Sequence, residues 1–67
     1  MITEQEIKEV MDNLYKVNPD IQQLFTITEA GDFIVSLYNP DNHKVKGDYI
    51  KKKEDIFKLW KKVGGIK

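Results

Sequence analysis

Leu24-Phe25-Thr26-Ile27-Thr28-Glu29-Ala30-Gly31-Asp32-Phe33-Ile34-Val35-Ser36-Leu37-Tyr38 is the stretch that decides the fold. Two runs rich in β-branched and aromatic residues flank Glu29-Ala30-Gly31-Asp32, which predicts a hairpin. A two-residue loop pairs Ile27 with Ile34 and scatters bulky apolar residues over both faces. A three-residue loop, Glu29-Ala30-Gly31 with glycine at the left-handed position, pairs Thr28 with Asp32 and Ile27 with Phe33. Phe25, Ile27, Phe33, Val35 and Leu37 then share one face, and a single buried face specifies register where a divided one does not.

The same logic applied downstream predicts a second three-residue connection, Pro40-Asp41-Asn42. Proline suits φ near −65° and asparagine tolerates the left-handed region. Asn39 then faces His43, Leu37 faces Val45, Val35 meets Gly47 and Phe33 meets Tyr49. On this reading Val45, Gly47 and Tyr49 join the core face. Lys44, Lys46 and Asp48 lie on the outer side, with Lys44 directly across from Tyr38.

Helical signals bracket the hairpins. Thr3 and Glu6 have the spacing of a capping box, with Ile2 and Ile7 spaced as a hydrophobic staple, so a helix is expected to start at Thr3 or Glu4. Ile7, Val10, Met11 and Leu14 form its apolar stripe, and Asn18-Pro19 ends it, with an irregular turn over 19–23. From about Lys52 the period of 3.6 returns through Ile56, Leu59, Trp60 and Val63, with Phe57 at the stripe's edge and Gly64-Gly65 as the stop. No residue with a good capping side chain precedes this helix, which leaves its start open by several residues. The expected fold is a single small α+β domain over residues 1–67: a two-layer α-β-β-β-α arrangement, its three-stranded antiparallel meander covered on one face by both helices.

Charge is segregated along the chain. Its 11 basic residues are all lysines, balanced by 11 acidic ones. Residues 1–42 hold two lysines against eight carboxylates, a net −6, and residues 43–67 hold nine lysines against three, a net +6. Such a pattern speaks to partners and association rather than to fold. The absence of cysteine removes disulfides and thiolate chemistry. The acidic, amphipathic opening lacks the features of a signal peptide or a membrane span, so a soluble cytoplasmic protein is the expectation.

An enzyme is not expected, because the parts for one do not converge. Ser36 and His43 are the sole serine and histidine; the expected register puts them on opposite faces, out of hydrogen-bond reach. Asn39, Asp41 and His43 alternate as in a calcium loop, but Lys44 stands where glycine is required and Ile50 where the bidentate glutamate is required. Neither a catalytic residue, a metal ligand nor a cofactor site is assigned.

Binding has more material. Tyr38 beside Lys44 and Lys46 offers an aromatic flanked by cations, and Lys51, Lys52, Lys53 and Lys58 extend the basic surface toward the second helix. The element order and the lysines entering the second helix resemble a double-stranded-RNA-binding domain in outline. That family contacts RNA through its first helix, a hairpin loop and a lysine-rich helix entry, so the resemblance implies a role in phosphate contact for Lys51, Lys52 and Lys53. The first helix here shows Glu4, Glu6, Glu9 and Asp12 and the loop Glu29 and Asp32, which repel phosphate, and the chain is not assigned to the family. The leading expectation is a small protein-binding regulator or inhibitor, with a homodimer as a sub-case. The alternative is a nucleic-acid-binding module gripping backbone phosphates through its lysines.

Overall fold

The computed structural model describes residues 2–66. Two helices and three strands follow the order α1 (Glu4–Val17), β1 (Gln22–Ile27), β2 (Phe33–Asn39), β3 (Lys44–Ile50) and α2 (Lys53–Lys62). The strands form an antiparallel meander in the order β1-β2-β3.

Helix α1 begins as its sequence demands. The Thr3 hydroxyl accepts the Glu6 amide at 3.2 Å and the Glu6 carboxylate accepts the Thr3 amide at 3.3 Å, closing the capping box. Ile2 and Ile7 are both buried, completing the staple. Ile7, Met11 and Leu14 meet Ile56, Leu59, Trp60 and Val63 of the α2 segment over Val35, Leu37 and Ile50, in one core cluster. Val35 and Leu37 are fully buried from one side of the sheet, whereas Leu24, Val45 and Tyr49 on the other side are open, so the helical layer covers a single face.

The first hairpin has the expected register, with Ile27 opposite Phe33 and Phe25 opposite Val35. Gly31 sits at φ 88° and the Thr28 amide donates to the Asp32 carbonyl at 2.9 Å. Strand β1 starts at Gln22 rather than Leu24, because Asn18 and Asp20 close the turn after α1 within fewer residues: the Asn18 side chain accepts the Asp20 amide, and the Ile21 amide returns to the Asn18 carbonyl.

The second hairpin departs from expectation by one residue. Its loop is Pro40-Asp41-Asn42-His43, Asn39 pairs with Lys44, Tyr38 with Val45 and Phe33 with Ile50. His43, not Asn42, takes the left-handed conformation at φ 61°. Because side chains alternate with a period of two, this shift turns the whole strand over. Val45, Gly47 and Tyr49 occupy the outer face; Lys44, Lys46, Asp48 and Ile50 lie on the helix side.

Hydrogen bonding accounts for the longer loop. The Asn39 amide donates to the Val63 carbonyl at 2.8 Å and the Asn42 amide donates to the same oxygen at 3.1 Å, so both asparagines cap the end of α2. Asn42 Oδ1 also accepts the Lys44 amide. Of the β3 side chains on the helix side, only Ile50 is buried. The other three lie on the sheet's rim, where lysines can lay their stems along the edge and keep the ammonium in water.

The entry of α2 is capped from within. Asp55 Oδ2 accepts the Lys51 and Lys52 amides at 2.9 and 3.2 Å, the return half of a capping box whose N-cap lysine has no acceptor to offer. Its exit is a Schellman motif: the Gly64 amide donates to Lys61 and the Gly65 amide to Trp60.

Candidate functional site

The outer face of the sheet is the most distinctive surface. Register places Gln22, Leu24 and Thr26 of β1, Ile34, Ser36 and Tyr38 of β2, and Val45, Gly47 and Tyr49 of β3 on it. None carries a charge, in a chain one third of whose residues are charged. Leu24, Val45 and Tyr49 are 65%, 63% and 52% exposed. Gly47 keeps the centre low, since a β-carbon there would come within 2.7 Å of the Ser36 hydroxyl directly opposite. Scattered surface apolar residues are ordinary, but here Leu24, Val45 and Tyr49 share one uncharged sheet face.

Tyr38 belongs to this face, but not beside lysine. Its cross-strand neighbours are Gln22 and Val45, and its hydroxyl lies 3.1 Å from His43 Nδ1. The expected pairing of Tyr38 with Lys44 does not form, because the one-residue shift sends Lys44 and Lys46 to the other side of the sheet. His43 correspondingly turns toward the outer face, engaging Tyr38 rather than pointing away from Ser36.

Several of the lysines lie on a separate flank. Helix α2 runs antiparallel to β3, tied at its C-terminal end to Asn39 and Asn42 and open at the other around Asp48, Lys51 and Asp55, which line a common surface recess. Asp55, Lys58 and Lys62 recur at intervals of three and four, hence on the α2 stripe that looks toward Asp48, Lys46 and Lys44. Lys53 sits on the opposite flank, its ammonium 3.9 Å from the Glu6 carboxylate of α1. Lys51, Lys52 and Lys53 nevertheless line one surface recess, which they share with Glu6 and Glu54.

The fold alters the acidity of Asp55. The Lys51 amide, joined by the Lys52 amide and by the Lys52 and Lys58 charges, holds its carboxyl below the usual aspartate range against a smaller opposing effect of burial. Among the described residues, no group of three or more His, Asp or Glu could hold a metal ion, and no helix is long and apolar enough to cross a membrane.

The missed feature of this site is the outward turn of Val45 and Tyr49. A signal existed in the four polar or turn-forming residues Pro40, Asp41, Asn42 and His43, which fit a four-residue loop as well as a three-residue one. No protein-family model matches this chain, and no curated protein or solved structure matches it.

Proposed function

We propose that this protein is a small non-enzymatic binding protein, cytoplasmic and soluble, that regulates or inhibits a protein partner by laying the outer face of its sheet on an apolar patch of that partner. The observation that carries this reading is the uncharged face from Gln22 to Tyr49, with Leu24, Val45 and Tyr49 open to solvent. Desolvating such a face costs no buried charge, whereas docking through either helix would require stripping water from lysines or carboxylates. The opposed charges of the two halves supply steering and orientation rather than the contact itself.

The test is capture of a partner by the native chain, followed by affinity measurements with Val45→Lys and Tyr49→Lys. Each substitution should weaken binding at least tenfold, while Lys58→Gln leaves it within about twofold, as expected for a charge outside the contact. Equal binding by all variants would reject the outer face as the docking surface.

A second reading draws support from the β3 and α2 flank. Lys44, Lys46, Lys58 and Lys62 along one side, with Lys51 and Lys52 at its end, offer point charges to a nucleic-acid backbone without the forked geometry that reads bases. Affinity for duplex or single strands should then fall steeply with salt, and replacing Lys44, Lys46 and Lys58 by glutamine should flatten that slope. Absence of binding in dilute salt would remove this reading.

A further inference from the structure

The two free edges of the sheet are built differently. Strand β3 carries Lys44, Lys46 and Asp48, charges of the kind with which proteins discourage edge pairing. Strand β1 reads Gln22-Gln23-Leu24-Phe25-Thr26-Ile27, with no charge, proline or glycine in six residues. Among the described residues, no element pairs with its far side.

Which backbone groups that edge presents follows from the first hairpin. The Thr28 amide donates to the Asp32 carbonyl, so Thr28 belongs to a hydrogen-bonding pair. Alternate residues of an antiparallel strand turn their N–H and C=O to opposite sides. Gln22, Leu24 and Thr26 therefore point theirs at β2, and Gln23, Phe25 and Ile27 point theirs outward. That leaves three donors and three acceptors in a row, without a partner in the sheet.

We infer that β1 pairs antiparallel with β1 of a second copy, about a two-fold axis through Phe25, to make a continuous six-stranded sheet. This axis sets Phe25 against Phe25 and Gln23 against Ile27, and every outward donor meets an acceptor. Face is conserved across the seam, since Leu24 then neighbours Thr26 of the other copy on the outer side. The placement of the lysines favours this edge over β3 for a second copy. In the order β3-β2-β1-β1-β2-β3 the two lysine-rich strands stand five spacings apart, about 24 Å, well beyond the screening length of about 8 Å in physiological salt. Pairing through β3 would instead bring Lys44, Lys46 and Lys51 of both copies together. Continuing that register, Asp20 of one copy falls beside Glu29 of the other just past each end of the seam, a like-charge approach that salt weakens. An edge contact buries less area than a permanent dimer needs, so association is a concentration-dependent equilibrium. This inference is independent of the protein partner proposed above, because it uses the strand edge and not the outer face.

The experiment is sedimentation equilibrium of the full chain from micromolar to millimolar concentration, paired with amide hydrogen exchange at both extremes. The mass should rise from one chain toward two. The amides of Gln23, Phe25 and Ile27 should gain at least tenfold protection while those of Gln22, Leu24 and Thr26 stay as they are. Gln23→Pro removes an outward donor and no bond within the sheet, and should hold the chain monomeric. A single-chain mass throughout, or a dimer in which those three amides exchange as fast as in the monomer, overturns the inference. The exchange measurement on the unaltered chain decides the matter even if the proline variant fails to fold.

Discussion

The side-chain amide of Asn39 donates to the backbone carbonyl of Val63 at 2.8 Å, joining the second hairpin to the last turn of α2 across 24 residues of sequence. Asn39 is 3% exposed, and its Oδ1 accepts the Asp41 amide at 3.0 Å, so both ends of one buried amide are in use. Asn39→Ala should cost about 1–3 kcal/mol, because it deletes a buried amide together with both of its hydrogen bonds. Asn42→Ala, more exposed and sharing the same acceptor, should cost less than about 1 kcal/mol. The double variant should lose more than the two single losses combined, because either asparagine alone still satisfies the Val63 carbonyl. Urea unfolding of the four proteins checks this; strict additivity would mean the two bonds are independent.

The glycines should rank by what stands near them. At Gly65 a β-carbon would lie 2.7 Å from Trp60 Cε3 and 3.3 Å from Ile21 Cγ1 in the packed core. Gly65→Ala should therefore destabilise by about 1–3 kcal/mol through overpacking. Gly31 has open space around it and φ 88°, so Gly31→Ala carries only the left-handed backbone penalty of about 1 kcal/mol, and Gly31→Asn should recover part of it. Thermal melts giving the reverse order would contradict the packing around Trp60.

His43 carries the strain of the second loop. A β-branched residue at φ 61° is disfavoured more strongly than histidine, so His43→Val should cost about 1–2 kcal/mol. His43→Gly should be close to neutral, since relief of the backbone offsets loss of the Tyr38 contact. Chemical denaturation of both variants tests whether the left-handed position lies here; a damaging glycine and a harmless valine would place it elsewhere.

Acid should loosen the entry of α2. The Asp55 carboxyl is held below its ordinary value by the Lys51 and Lys52 amides, so its contribution is present above the unfolded-state pKa and is lost as pH falls through the folded one. Asp55→Asn should cost about 0.3–1 kcal/mol at neutral pH, in keeping with a first-turn carboxylate. The gap between the two proteins should close as the pH drops below the usual aspartate range. A gap that stays constant down the acid limb would show that ionisation plays no part.

Much of this architecture is legible in the residues themselves. Thr3 and Glu6 mark the first helix, Gly31 sets the first turn, and the apolar stripe from Ile56 to Val63 marks the second helix. Each is a local pattern with a local physical cause. The register of β3 is different, because Val45 and Tyr49 on one side and Ile50 on the other offer no clear choice of face. Long-range bonds from Asn39 and Asn42 to Val63 settle it, and no window around the loop contains Val63. The candidate site follows the same division: Tyr38 is found on the outer face as its own hairpin requires. Its cross-strand neighbours are Gln22 and Val45 instead of Lys44.

The four residues between Asn39 and Lys44 therefore act as a selector. Deleting one of them would rotate the downstream strand by half a turn, carrying Val45 and Tyr49 beneath the helices and presenting ammonium groups on the open side. One codon in a turn would thus exchange a greasy platform for a cationic one, with every side chain of the strand itself unchanged.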